Sequence, residues 1–326
     1  MPAVPSPAVS ARVVRFHQHG EPRDVLHEER VEVAGPAAGR VRVRVVATGL
    51  NPADWEVCRG FLPGTLPQGI GFDVAGTIDA IGEGVDGVAP GDLVFGVAEV
   101  SGQPSSGAAD FAILSHWFPI PAGLDPVQAA TLPMVAQTVA WTLEVMQIAA
   151  GTTLLVHGAG GMVGYLAVQV ALRQGARVIA TAGPTFAADL EGFGAQVTSY
   201  GDGMADRVRE LAGGDVDLVL DTPRPSPGTL PTLIALAGGD PRRVVTISNH
   251  AEARELGARV NIDELTTDLT PIDVVLPSYA ALMAAGQLRL PIAKVFALGD
   301  WRAAMELSLS GRPHGKIVLQ PGADAS

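Results

Sequence analysis

The stretch Thr153-Leu-Leu-Val-His-Gly-Ala-Gly-Gly-Met-Val-Gly-Tyr-Leu-Ala-Val-Gln-Val-Ala-Leu172 decides the fold of this chain. Residues 153–156 form a short apolar run that is typical of a buried strand, and the apolar residues from Val163 onward recur at helical spacing. Between them lies a turn crowded with glycines. A strand, a glycine turn and a helix in this order predict a phosphate site, because glycine lets a pyrophosphate approach the backbone amides at a helix N-terminus.

A second buried strand follows this helix and completes a βαβ unit. The segment Gly175–Ala182 begins with a turn residue and continues as an apolar, β-branched run. A glycine pattern alone is weak evidence, but here the required strand and helix lie on either side of it. The alternative is a glycine-rich packing turn that binds no ligand.

The end of the second strand bears on the choice of cofactor. An NAD site has an acidic residue about 20 residues past the glycine turn, which bonds the ribose 2′-hydroxyl. The segment Thr181-Ala-Gly-Pro-Thr185 contains no carboxylate, and this favours NADPH over NADH. It contains no Arg or Lys either, so the hydroxyls of Thr181, Thr185 and Tyr200 are the donors predicted for a 2′-phosphate.

Composition excludes several classes of protein. The net charge of −12 argues against nucleic acid and anionic membrane surfaces as partners. The single cysteine, Cys58, excludes an internal disulfide framework, and we expect it to be a small buried side chain. The proline-rich start, Met1–Pro7, is expected to be disordered and is no secretory signal. No apolar run is long enough to span a bilayer, so we expect a cytoplasmic protein.

The hydrophobic pattern predicts an α/β protein with two domains. Before residue 126 the chain consists of short alternating strands, of which Arg40–Val46 places valines on one face and Arg42 and Arg44 on a solvated one. After it, strands alternate with helices, which predicts a doubly wound parallel sheet. The closing strand Gly315–Leu319 is expected to rejoin the first domain. The expected domains are therefore residues 1–126 with 268–326, and residues 127–267.

One further strand is predicted at the edge of the parallel sheet. The segment Arg259–Leu265 is apolar enough to form it. Because an exposed edge strand offers unpaired backbone groups, this segment is a candidate for sheet-to-sheet pairing between two copies of the chain.

Four motifs together resemble a known family. They are Asn51-Pro-Ala-Asp54, the glycine-studded segment from Gly71 to Asp92, the turn His157–Gly164 and the C-terminal Gly315-Lys-Ile-Val-Leu319. The chain resembles the zinc-free medium-chain dehydrogenases/reductases, in their quinone oxidoreductase-like branch. The resemblance covers nearly the whole chain. It implies a GroES-like catalytic domain, a Rossmann domain that usually binds NADPH, and often a dimer, so we expect a homodimer that acts on a small molecule.

The resemblance also implies cofactor contacts at matching positions. Met162 stands where the family usually has glycine, but the turn keeps its length. The glycine turn would bind the pyrophosphate, the residues after the second strand would bind the adenosine phosphate, and the remaining residues would lie near the nicotinamide. The matching residues are Asn51, Thr138, Gly158, Gly160, Gly161, Met162, Val163, Thr181, Ala182, Gly183, Tyr200, Ile247 and Ser248.

The residues at the usual zinc positions do not suit a metal. A zinc alcohol dehydrogenase needs Cys or His near position 51 and His-Glu near position 72, where this chain has Asn51 and Phe72-Asp73. Catalytic zinc takes three protein ligands of these types. Without a metal, the hydride acceptor must already be activated, and a quinone or an α,β-unsaturated carbonyl meets this requirement.

The best candidates for catalytic side chains lie in the Asn51 motif. Asn51 is predicted to stabilise a developing enolate by a hydrogen bond, and Asp54 to orient Asn51 or to relay a proton through water. The alternatives are a helix cap for Asn51 and a first-turn carboxylate facing the helix dipole for Asp54. Trp55, Phe61 and Phe95 are predicted to line an apolar substrate pocket, with burial in the core as the alternative. Phe61 stands where several enoyl reductases of the family have a tyrosine.

Three functions remain open from the sequence. The first is an NADPH-dependent quinone or enone reductase. The second is a biosynthetic reductase that acts on a polyketide-like or thioester intermediate, for which the proline-rich segment Thr222–Gly228 would shape the pocket. The third is a non-catalytic NADPH-binding protein, which the absence of the tyrosine permits.

Overall fold

The computed structural model describes residues 6–61 and 64–322. The chain divides into two compact units, Met1–Met134 with Leu276–Ser326, and Val135–Val275. The boundaries inferred from the sequence, after residues 126 and 267, lie slightly earlier. Residues 1–5 of the segment expected to be disordered, and residues 62–63, lie outside the described ranges.

The N-terminal part of the first unit is a small barrel. Its elements are β1 (Val9–Phe16), α1 (Pro22–Val25), β2 (His27–Val33), β3 (Val41–Leu50), α2 (Pro52–Cys58), β4 (Gln68–Gly69), β5 (Asp73–Ile81), β6 (Leu93–Ala98), β7 (Phe111–Pro119) and α3 (Pro126–Ala129). Strand β3 pairs with both β5 and β7, and β6 pairs with both of these, so the four strands form a closed circle. The valines of β3 point into the barrel core, as their alternation predicts.

The other face of β3 corrects one expectation. Arg44 is exposed, but Arg42 is only 2% exposed and is not on a solvated face. Its Nε donates to Asp79 Oδ2 at 2.7 Å, and its Nη1 donates to the Val33 carbonyl oxygen at 2.9 Å. The chain after β2 covers this face, which the alternation of β3 alone did not predict. Cys58 is buried, as expected, and burial raises the pKa of its thiol to about 12.

The second unit is a doubly wound parallel sheet. Its elements are α4 (Pro133–Val145), β8 (Thr153–His157), α5 (Met162–Arg173), β9 (Arg177–Thr181), α6 (Pro184–Phe193), β10 (Gln196–Thr198), α7 (Met204–Ala212), β11 (Leu218–Asp221), α8 (Leu230–Leu236), β12 (Val244–Thr246), α9 (His250–Leu256) and β13 (Arg259–Val260). The strand order is β10-β9-β8-β11-β12-β13, with every pairing parallel. The predicted fold class is therefore confirmed. The carboxyl ends of β8, β9, β11 and β12 lie at one edge, where ligands bind in such sheets.

The edge strand is shorter than predicted. Strand β13 ends at Val260, and the 3₁₀ turn Asn261–Glu264 follows it. This turn ends the strand before Leu265, and Arg259 forms an ion pair with Glu264 across it. Periodicity predicted the existence of this strand but not the return of the chain after two residues.

The C-terminal segment completes the first unit. It contributes α10 (Ile272–Ala284), whose first residues belong to the second unit, followed by β14 (Ile292–Ala297), α11 (Trp301–Leu309) and β15 (Lys316–Gln320). Strand β15 pairs antiparallel with β3 and parallel with β14. Over residues 6–61 and 64–322, the structure has no helix with the length and apolarity needed to cross a membrane.

Candidate nucleotide site and a buried polar cluster

The glycine turn between β8 and α5 has the geometry of a phosphate cradle. Gly158 has φ +79°, and a Cβ there would lie 2.4 Å from Pro223 Cγ, so only glycine fits. Gly161 is the N-cap of α5 and provides no side-chain cap. A Cβ on Gly160 would meet nothing within 4 Å, so the outer side of the turn is open. The first N–H groups of a helix have no partner within it, and this open, uncapped turn therefore fits a pyrophosphate.

Thr181, at the end of β9, holds the inner side of this turn. Its carbonyl oxygen accepts the Ala159 N–H at 2.9 Å, and its Oγ1 accepts the Gly158 N–H at 3.0 Å. The same Oγ1 lies 2.8 Å from His157 Nδ1. Thr181 is fully buried and its hydroxyl supports the turn from inside, while its contact with a 2′-phosphate stays a prediction. Burial lowers the pKa of His157 to about 4, and the ring is therefore neutral at neutral pH.

Thr222 is a second support of the turn, and the sequence did not single it out as a site residue. Its hydroxyl lies 2.8 Å from the His157 carbonyl oxygen and 3.0 Å from that of Gly158. Its backbone N–H also donates to the His157 carbonyl oxygen. The available signal was its position directly after β11, at the same sheet edge as the glycine turn.

The predicted adenosine-side residues lie together. Ala182 and Gly183 follow β9, and Gly183 is the N-cap of α6. Tyr200 is 62% exposed, and its hydroxyl lies 3.7 Å from the point that a Cβ on Gly183 would occupy. Thr185 is also exposed. Tyr200 therefore remains a predicted donor to a phosphate on the adenosine ribose.

The predicted nicotinamide-side residues follow β12 or lie on α4. The Ile247 N–H donates to the Asp221 carbonyl oxygen at 3.1 Å, and the Ser248 hydroxyl donates to the Pro223 carbonyl oxygen. Met162 and Val163, in the first turn of α5, and Thr138 on α4 are all partly exposed. Their contacts with a cofactor stay predictions.

In the first unit, the Asn51 motif contributes to a buried polar cluster. Lys316 Nζ donates to Asn51 Oδ1 at 2.6 Å and to Asp73 Oδ2 at 3.3 Å, and Asn51 Nδ2 donates to the same carboxylate oxygen at 2.9 Å. Asp73 Oδ1 accepts the Met134 N–H at 2.8 Å. Burial raises the pKa of Asp73, while Lys316 opposes this shift. Both polar atoms of the Asn51 side chain thus have partners inside the protein, and its catalytic role stays a prediction.

Asp54 belongs to the local structure of the turn. Its Oδ2 accepts the Asn51 N–H at 2.7 Å, and its Oδ1 accepts the Gly71 N–H at 2.6 Å. Burial raises its pKa to about 7. Asp54 is fully buried and both of its oxygens accept backbone N–H groups, one of them that of Asn51. Its predicted role, to orient Asn51 or to relay a proton through water, stays a prediction.

Two of the three predicted pocket aromatics lie in the core instead. Trp55 is 1% exposed, and its Nε1 donates to Ser308 Oγ at 2.7 Å. Phe95 is fully buried, with its ring 5.9 Å from that of Phe118. Phe61 is 48% exposed and remains a candidate to contact a substrate. Its neighbours Leu62 and Pro63, in the segment that departs from the enoyl reductases, lie outside the described residues.

Comparisons with known proteins agree with this architecture. Residues 37–116 match the family model of the alcohol dehydrogenase GroES-like domain, and residues 193–319 match that of the zinc-binding dehydrogenases. The chain is 33% identical over 313 residues to erythronolide synthase EryA2 of Saccharopolyspora erythraea, a match that covers 90% of this chain and 8% of the synthase. It is 35% identical over 177 residues to the quinone oxidoreductase of Rattus norvegicus, which covers 53% of each protein.

A solved structure extends the likeness to the whole fold. The CurK enoyl reductase superposes with a TM-score of 0.78 at 25% identity, over 95% of this chain and 99% of that one. The chain belongs to the medium-chain dehydrogenase/reductase superfamily, in its quinone oxidoreductase-like branch. Members of this family bind nicotinamide cofactors. The chain spans 8% and 53% of the length of the two curated relatives above, and its activity is therefore a proposal.

Proposed function

We propose that this protein is a zinc-independent, NADPH-dependent reductase that transfers a hydride to a quinone or to the C=C bond of an α,β-unsaturated carbonyl. The observation that carries the proposal is the open, uncapped glycine turn at the N-terminus of α5. A bound reduced nicotinamide supplies the hydride. The chain would bind and orient the cofactor: the backbone N–H groups of Met162 and Val163 would hold the pyrophosphate, while Thr181 and Thr222 keep the turn in shape.

The proposal of zinc independence rests on the residues at positions 51, 72 and 73. These are Asn, Phe and Asp, and the amide and the carboxylate among them are already bonded to the ammonium group of Lys316. Among the described residues, no group of three or more His, Cys, Asp or Glu side chains is suited to hold a metal ion. An acceptor that carries its own activating carbonyl is consistent with these residues.

A second candidate substrate is a polyketide-like enoyl thioester. A match to a polyketide synthase subunit of Mycobacterium tuberculosis, which spans 91% of this chain at 31% identity, favours it, as does the fold of an enoyl reductase. The chemistry is the same hydride step on a larger substrate. The proline-rich segment Thr222–Gly228, which is largely exposed, is the part of the second unit that we expect to differ between the two substrate classes.

Cofactor oxidation with a panel of acceptors tests the proposal. We expect the absorbance of NADPH to fall with quinones, simple enones or enoyl thioesters, and to fall more slowly with NADH at equal concentration. The class that is turned over identifies the substrate. Tight NADPH binding without turnover of any class would instead support the non-catalytic function, and absence of binding would contradict the proposal altogether.

We also propose that the protein forms a homodimer through the edge strand β13. This strand is one of the two edge strands of the parallel sheet, and Leu256, Ile262 and Leu265 beside it are 38–44% exposed. We expect sedimentation to give the mass of a dimer, and Ile262→Glu to give a monomer. Ile81→Glu is the matched control, because Ile81 is 37% exposed in the first unit. A monomeric wild-type protein would contradict the proposal.

A further inference from the structure

The adenosine side of the nucleotide site has a positive charge that the sequence of its turn does not show. Arg207 lies on α7, outside the segment Thr181–Thr185, and its side chain reaches back to the end of β10. Its Nε donates to Thr198 Oγ1 at 3.0 Å, Nη2 donates to the Ser199 carbonyl oxygen at 2.9 Å, and Nη1 donates to that of Asp202 at 2.9 Å.

These bonds place the guanidinium group beside the predicted adenosine residues. Thr198, which receives the Nε bond, also accepts the Ala182 N–H through its carbonyl oxygen at 3.0 Å. Thr198 is the β-partner of Thr181, and Ser199 directly precedes Tyr200. Arg207 thus holds the loop that presents Tyr200, next to the end of β9 where cofactors of this fold are distinguished by their ribose 2′-group.

The charge of Arg207 is not neutralised by a carboxylate. Within the ranges 6–61 and 64–322, its partners are one hydroxyl and two carbonyl oxygens, and it makes no ion pair. Arg254 and Arg59, by contrast, are each bonded to carboxylates. A guanidinium group has five N–H donors, so the three bonds leave two donors for a further acceptor.

The local backbone also makes room for this arrangement. Gly203 has φ +71°, and a Cβ there would lie 2.9 Å from Arg207 Nη1. The absence of a side chain at position 203 therefore leaves room for the Arg207 guanidinium group. An arginine held by three bonds in this way loses little further freedom when it binds an anion.

We propose that Arg207, with the Tyr200 hydroxyl, selects the 2′-phosphate of NADPH over the 2′-hydroxyl of NADH. This inference rests on the proposed function, and it identifies which residue supplies the charge that the turn after β9 lacks. A phosphate dianion and a guanidinium group form charge-assisted hydrogen bonds that a neutral ribose cannot form.

Titration of Arg207→Gln with both cofactors tests the inference. We expect NADPH to bind about ten- to a hundredfold more weakly, because hydrogen bonds to charged groups are worth about 1.5–3 kcal/mol, and NADH to bind within about twofold of wild type. Adenosine 2′,5′-bisphosphate should lose affinity in parallel with NADPH, whereas AMP should not. Arg207→Lys keeps the positive charge but loses the planar set of N–H donors of the guanidinium group. We therefore expect its affinity for NADPH to lie between those of the wild type and Arg207→Gln.

Arg177→Gln is the matched control. Arg177 lies at the other end of β9 and likewise donates to two backbone carbonyl oxygens, those of Leu211 and Ala212 at the end of α7, so its loss removes comparable bonds without removing charge near Tyr200. Two results would overturn the inference and leave the proposed function standing. One is that Arg207→Gln weakens the binding of NADPH and NADH by the same factor, and the other is that Arg177→Gln weakens NADPH binding as much as Arg207→Gln does. A wild-type protein that binds neither cofactor would overturn the proposed function itself.

A second measurement uses the wild-type protein alone and does not depend on the folding of Arg207→Gln. Added salt should weaken the binding of NADPH more than that of NADH, because only NADPH makes the contact between the 2′-phosphate and Arg207. The same salt dependence for both cofactors would contradict the inference.

Discussion

Replacement of Lys316 by methionine is expected to lower the free energy of unfolding by about 3–5 kcal/mol. Lys316 is 3% exposed and contributes the positive charge to the cluster of Asn51, Asp73 and Lys316. Its removal leaves the fully buried carboxylate of Asp73 with only the Asn51 amide and the Met134 N–H as partners. The loss of one partner from a buried ion pair is costly because the remaining charge stays in a medium of low polarity. Urea unfolding of the two proteins measures the difference.

The chain provides a matched control for this variant. Its only other lysine, Lys294, is exposed on β14 and lies over the Phe296 ring at 4.6 Å. Lys294→Met should therefore cost less than about 1 kcal/mol. The double variant Asp73→Asn/Lys316→Met should recover part of the loss, because it removes the uncompensated charge. A Lys316→Met protein within about 1 kcal/mol of wild type would show that the ion pair contributes little.

The pH dependence of the stability of Lys316→Met follows from the direction in which the Asp73 pKa is shifted. Burial raises the pKa of Asp73 in the folded protein, and removal of Lys316 removes a group that lowers it. A carboxyl group with a raised folded pKa destabilises the fold as pH rises above its unfolded value, since only the unfolded chain ionises freely. The loss in free energy of unfolding caused by Lys316→Met should therefore be smaller at acidic than at neutral pH.

Local signals explain why the nucleotide unit could be predicted from the sequence. The strand before His157, the glycine turn and the helix after it are contiguous, and each of them has its own periodicity or backbone requirement. The same reasoning predicts cofactor contacts at Gly160, Gly161 and Tyr200, and these stay predictions. The burial of the Thr181 hydroxyl against the turn could not be predicted, because the sequence of a strand end does not show whether a hydroxyl faces the turn or the solvent.

Long-range contacts explain what could not be predicted. Lys316 is 265 residues from Asn51 and 243 from Asp73, so no spacing in the sequence indicated that the three would meet. The burial of Trp55 likewise depends on Ser308 in the C-terminal segment. The turn after β9 contains no basic residue, and the Arg207 guanidinium group reaches its neighbourhood from α7, a placement that no local pattern predicts. Sequence patterns thus predicted the elements, but not which distant side chains meet.

A carboxylate in the glycine turn should abolish cofactor binding and leave the fold intact. Gly161 is exposed, has φ −82° and ψ 153°, and a Cβ there would meet only the Gly158 carbonyl oxygen, at an ordinary 3.5 Å. Aspartate is also a preferred N-cap, so Gly161→Asp should melt at or slightly above the wild-type temperature. Its carboxylate would accept the N–H groups of the first turn of α5 and repel a pyrophosphate. We expect NADPH and NADH to bind at least about a hundredfold more weakly, as measured by titration, since a charge-assisted contact is lost and a like charge is added.

Gly192→Asp is the control that separates the effect of a carboxylate in the glycine turn from the effect of one more negative charge on the protein. Gly192 is an exposed residue of α6 in the same unit, and a Cβ there would meet nothing within 4 Å. This variant changes the net charge by the same amount away from the glycine turn, so both cofactors should bind within about twofold of wild type. If Gly161→Asp bound both cofactors as tightly as the wild type does, the pyrophosphate would have to lie elsewhere. The N-terminus of α5 would then not be the nucleotide site. Loss of binding in Gly161→Asp alone, with unchanged melting of both variants, would assign that role to this turn.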